Sequence, residues 1–63
     1  MTHTQYRKAL DDLGMTQNAA ADLLGVSLRT SQGYALNEYP VPGAIAKLLR
    51  LMVRLKLKPD DVQ

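Results

Sequence analysis

The side chains able to do chemistry in this chain are few, and their placement argues against catalysis. There is one histidine, His3, and no cysteine. His3 lies near an N-terminus expected to fray, with no evident partner. The carboxylates Asp11, Asp12, Asp22, Glu38, Asp60 and Asp61 are scattered over polar positions. Asp11 and Asp12 are neighbours in sequence, so on a helix they diverge, and Asp60 and Asp61 sit at the loose end of the chain. No glycine-rich phosphate loop is present. These types and spacings supply neither a nucleophile with its base nor a metal cluster, so no catalytic residue, metal ligand, cofactor or small-molecule substrate is expected.

What the sequence does carry is hydrogen-bonding chemistry at helix starts. In residues 16–36, TQNAAADLLGVSLRTSQGYAL, two good N-cap residues, Thr16 and Ser27, flank Gly25. A cap hydroxyl accepts a hydrogen bond from an otherwise unpaired amide of the first helical turn. Gly25 suits the left-handed turn that ends a helix. Only Val26 separates it from the next cap, so two short helices, about 17–24 and 28–36, are expected to cross steeply. The alanines Ala19 to Ala21 favour helix and leave little bulk, which lets another helix come close. In the second helix Ser31 and Tyr34 are expected to point inward, with Arg29, Thr30, Gln32 and Gly33 mostly outward. Gly33 costs about 1 kcal/mol relative to alanine inside a helix, which calls for a reason such as close approach to another surface.

The other elements follow from the same rules. Tyr6, Ala9, Leu10 and Leu13 form one apolar stripe of a helix over about 4–13, capped by Thr2 or Thr4 and ended by Gly14. After Asn37, a residue suited to a left-handed turn, Tyr39-Pro40-Val41-Pro42 is stiff and extended. Pro42 suits the first turn of a last helix over about 42–57, stopped by Pro59. Ile45, Leu48, Leu49, Met52 and Val53 form its buried stripe. Leu51, Leu55 and Leu57 fall outside that stripe, which predicts either a dimer interface or a bundle that wraps further round the helix. No segment alternates as a strand would, so the expected fold is all-α.

Size and charge set further bounds. With 63 residues the chain is one small domain, close to the lower limit for a self-sufficient core, and dimerisation would help it. No run approaches the roughly 18 apolar residues of a membrane span and no signal-peptide core is visible, so the expected setting is soluble and cytoplasmic. The net charge is only +2, but Lys47, Arg50, Arg54, Lys56 and Lys58 fall together with no acid among them. Such a run attracts phosphates or forms the solvated face of a helix. Residues 14–37, by contrast, contain only Asp22 and Arg29 as charges.

From about Tyr6 to Met52 the chain resembles the helix-turn-helix domains of the lambda repressor and Cro type, the XRE-like group of bacterial and phage regulators. The likeness is carried by LGMTQNAAADLLGVSLRTSQGY and the following YPVPGAIAKLLRLM, with Gln17, Ala21, Gly25 and Tyr34 at the family's characteristic positions. Two positions depart from the pattern. Ser31 stands where a branched apolar residue is usual, and would bond back to a carbonyl in the preceding turn or leave the unit looser. Gly33 stands where a base-contacting side chain is frequent.

The resemblance implies a compact four- to five-helix lambda repressor-like DNA-binding domain. It implies a homodimer on double-stranded DNA, acting as a transcriptional regulator, by default a repressor at a palindromic operator. The third helix would then lie in the major groove. Leu28, Arg29 and Gln32 would face base edges, Gln32 reaching an adenine or a phosphate. Gln17, Ser27, Thr30, Gly33 and Asn37 would face the DNA backbone. The other reading is a helix-turn-helix scaffold that binds a partner protein, as an antitoxin or accessory subunit does, through Leu28, Leu51, Leu55 and Leu57.

Overall fold

The computed structural model describes residues 1–57. Lys58, the Pro59 stop and the Asp60–Asp61 pair lie outside the described residues. Four helices follow one another: α1 (His3–Asp12), α2 (Gln17–Leu24), α3 (Leu28–Ala35) and α4 (Gly43–Leu55). No strand occurs among the described residues, and no helix there is long and apolar enough to cross a membrane.

α1 is the spine. It packs against both α3 and α4, while α2 packs against α3. Tyr6, Ala9 and Leu10 of α1, with Leu13 and Met15 just after it, meet Ala20, Tyr34, Ala35, Leu49 and Met52 in one core. Tyr6 and Tyr34 stand edge to face, with centroids 5.5 Å apart and planes at 72°, the arrangement ring quadrupoles favour. Of the stripe expected on α4, Leu49 and Met52 are buried while Ile45, Leu48 and Val53 are half-buried; Ala46 joins the buried set.

The N-terminus is better fixed than its position suggests. Thr2 caps α1 in a reciprocal box: the Gln5 amide donates to Thr2 Oγ1 at 3.1 Å and the Thr2 amide donates to Gln5 Oε1 at 3.0 Å. This satisfies two amides at once. His3 is therefore a half-buried residue of the first helical turn rather than part of a frayed end. Pro42 is the N-cap of α4 and stands before the helix, not in its first turn.

All four helices end in the same way. A backbone amide donates to the carbonyl five residues earlier, from Met15 to Leu10, Val26 to Ala21, Glu38 to Gly33 and Leu57 to Met52, over 2.8 to 3.0 Å. The residue before each donating amide is left-handed: Gly14, Gly25, Asn37 and Lys56. This bond satisfies a carbonyl that has no partner within the helix. The last case shortens the expected final helix. Lys56, at φ 56°, reverses the chain, and Leu57 turns back to pack on the core instead of extending the outer face with Leu51 and Leu55.

Lys56 is a side-chain-bearing residue in a region where a Cβ costs roughly 1–2 kcal/mol, partly offset in a glycine variant by the greater freedom of the unfolded chain. Lys56→Gly is expected to raise the unfolding free energy by up to about 1 kcal/mol, measured by urea denaturation. A fall in stability would show that the left-handed turn is not under strain.

Candidate nucleic-acid interface

The unit of α2, turn and α3 is built on its caps. The Ala19 amide donates to Thr16 Oγ1 and the Thr30 amide donates to Ser27 Oγ, each at 3.1 Å. Gly25, at φ 70°, closes α2, and two residues later the chain is already capping α3. The Ser27 and Thr30 hydroxyls are also hydrogen-bonded to each other at 2.9 Å. Ser27 remains exposed and Thr30 is half-buried.

The inner side of the unit is polar at one point. Ser31 is 0% exposed, yet it neither bonds back to its own helix nor leaves a gap. Its Oγ donates to Gln17 Oε1 of α2 at 2.6 Å and lies 2.7 Å from the Tyr6 hydroxyl of α1. A serine hydroxyl has one proton. Since that proton goes to Gln17, the Tyr6 hydroxyl donates to Ser31. One chain of hydrogen bonds therefore joins α1, α2 and α3. Burial holds the Tyr6 hydroxyl above its ordinary pKa of 10.0, the bond with Ser31 opposes this, and Tyr34 adds to the upward shift. Donation to Ser31 needs the neutral phenol, which is the form that burial favours.

The outer side of α3 carries Leu28, Arg29, Gln32 and Leu36, all exposed. These residues share one face of the helix. Leu28, Arg29 and Gln32 are thus on one face, with Ser27 at the head of the same helix. Gln17 starts α2 and is half-buried, its side-chain carbonyl already taken by Ser31. Asn37 is exposed in its left-handed turn.

Gly33 is the exception. It is buried, not outward, and a Cβ built there would run into the ring of Tyr39. The surface it approaches is within its own chain, so its backbone is covered and does not serve as an open contact point. Tyr39, 42% exposed, is thereby placed beside the outer face of α3, a position that no local pattern around Tyr39 specifies. The signal lies at Gly33, a glycine inside a helix followed by a tyrosine at the head of a proline-stiffened loop.

The charges are arranged as separately as the sequence implied. Arg29 is the charged residue of α3, whereas Lys47, Arg50 and Arg54 are exposed on α4. Leu51 and Leu55 are also exposed there, at 49% and 57%, while Leu57, half-buried on the core, does not share their surface.

Two substitutions probe this construction. Ser31→Ala strands the buried Tyr6 hydroxyl and is expected to cost about 1–3 kcal/mol. Adding Tyr6→Phe to that variant should then cost less than Tyr6→Phe alone, by about 0.5 kcal/mol or more. Additive losses in denaturant titrations would contradict the chain of bonds. Gly33→Ala should destabilise the protein, since the methyl group displaces Tyr39. In a Tyr39→Ala background the same change should stabilise it, through the alanine helix preference of about 1 kcal/mol, and an unchanged sign would refute the packing. No protein-family model, curated protein or solved structure matches the chain.

Proposed function

We propose that the chain is a sequence-specific DNA-binding transcriptional regulator that represses by occupying an inverted-repeat operator as a homodimer. The observation that carries this reading is the outer face of α3. Leu28, Arg29 and Gln32 stand together and exposed on a helix held from behind by the bond between Ser31 and Gln17. In the major groove Arg29 can donate two hydrogen bonds to a guanine, Gln32 can pair with an adenine and Leu28 can pack on a thymine methyl. The Gln17 and Asn18 amides of α2 and the Leu28 and Arg29 amides of α3, which the caps leave free, with the one hydroxyl proton not spent between Ser27 and Thr30, offer donors for phosphates on either side. Asn37 would lie at the far end of the same contact.

One arginine gives a weak electrostatic hold per subunit, because phosphate neutralisation normally dominates affinity. A second copy doubles the contacts. The exposed Leu51 and Leu55 of α4 are the surface through which two copies would join. Two α3 helices about 34 Å apart would then read half-sites one DNA turn apart. Repression needs no catalysis or cofactor here; a bound dimer blocks polymerase by occupancy.

One observation favours a second reading. Leu28 and Leu36, on the helix face that carries Arg29, and Tyr39, against Gly33, are exposed at 38%, 62% and 42%. Exposed apolar side chains around an arginine and a tyrosine also suit the centre of a protein interface. On that reading the unit is a scaffold for a partner protein.

Selection of duplexes from a random pool separates the two. An enriched inverted repeat is expected, with affinity that falls steeply between low and moderate salt. Arg29→Ala should relax preference at one base pair in each half-site, a loss of about 1–3 kcal/mol of discrimination there. Uniform weakening at every position would make Arg29 a phosphate contact. No duplex binding even at low salt would sink the DNA reading and leave the scaffold.

A further inference from the structure

An open groove of about 300 Å³ runs between α1 and α4. Ala9 and Val53 supply apolar lining, and Lys8, Asp12, Arg50 and Arg54 supply the charges. Beyond Asp12 and Val53 the depression continues to Lys56 and Leu57. Across the groove Lys8 is occupied, since its Nζ lies 3.2 Å from Asp12 Oδ1. Arg50 and Arg54 are exposed, and neither forms a salt bridge with a carboxylate among the described residues. They stand one helical turn apart on the same side of α4.

We infer that this groove is a docking site for an acidic amphipathic segment of a partner protein, with an aliphatic side chain against Val53 and two carboxylates on Arg50 and Arg54. Charge complementarity selects that occupant. A second α4 brings no acid to these arginines, because the helix contains none. An anionic membrane presents mobile headgroups, which do not hold two anions at the fixed one-turn spacing of these arginines. A nucleic acid would leave that apolar lining unused, while Asp12, which faces any anionic occupant alike, is already paired with Lys8. Carboxylates spaced three or four residues apart on a helix match the arginine spacing, and planar guanidinium groups pair with carboxylates in a bidentate manner. The site lies on α1 and α4, away from the outer face of α3, and it does not depend on the DNA reading.

The test is selection of a displayed random peptide library against the full chain and against R50E/R54E, with R50Q/R54Q as a gentler variant. Far-UV circular dichroism confirms that each variant keeps its helices. The full chain should enrich peptides with two acids one turn apart beside an aliphatic residue. Both variants should weaken the synthetic form of such a peptide at least about tenfold, and R50E/R54E should enrich basic peptides instead. The proposal is overturned by no enrichment, by neutral or basic peptides on the full chain, or by affinities that ignore both variants. It is equally overturned if phosphatidylserine vesicles or duplex DNA, and not peptides, are what the variants release.

Discussion

Ser31 is the point at which three of the four helices are tied by hydrogen bonds, from Tyr6 on α1 through Ser31 on α3 to Gln17 at the start of α2. A branched apolar residue at this position would fill space, but many small rotations of α3 would fill it nearly as well. Two short bonds to a buried hydroxyl are directional, so they fix how α3 is turned as well as how close it sits. Each such bond contributes only about 0.5–1.5 kcal/mol net, while breaking one strands a buried polar group at greater cost. In a domain this small, where α2 contributes alanines to the contact, a polar tie of this kind settles the orientation that a larger core would set by shape.

The outer surface depends on that orientation. Because Ser31 and Tyr34 face inward, Leu28, Arg29 and Gln32 face outward. Tyr39 covers the helix at Gly33 and marks one border of that face. The positive charge is held elsewhere, on α4, where it flanks a groove and adjoins the exposed Leu51 and Leu55. The molecule therefore separates a nearly neutral, shape-dependent face from a basic, partly apolar one. On the proposed reading, the first would discriminate among ligands by hydrogen-bond pattern and the second would respond to partner charge.

How much of this could be read from the sequence follows the range of the interactions. The caps at Thr16 and Ser27 and the left-handed turns at Gly14, Gly25 and Asn37 are local, and all are present. So is the inward placement of Ser31 and Tyr34. The partners of Ser31 were not legible, because Tyr6 lies 25 residues away and Gln17 lies 14 away. Gly33 showed that something approaches α3 but not that it is Tyr39. Lys56 gives no sign of a left-handed turn, since its side chain disfavours one, so helix periodicity puts Leu57 on the outer face from which the turn removes it. The outward placement of Arg29 and Gln32 follows from helix periodicity, whereas a recognition role for them, and for Leu28 and Ser27, is implied only by the family resemblance, and the covering of Gly33 required the tertiary structure.

The central claim is that the face of α3 is the one that meets DNA, and amide chemical-shift mapping of the full chain titrated with a mixed-sequence duplex at low salt tests it most directly. The account expects the shifts to concentrate on Thr16 to Asn18 and Ser27 to Gln32, with Ala9 and Val53 in the α1–α4 groove unmoved. Shifts confined to Lys47, Arg50 and Arg54 with α3 silent, or no shifts at all, would contradict it.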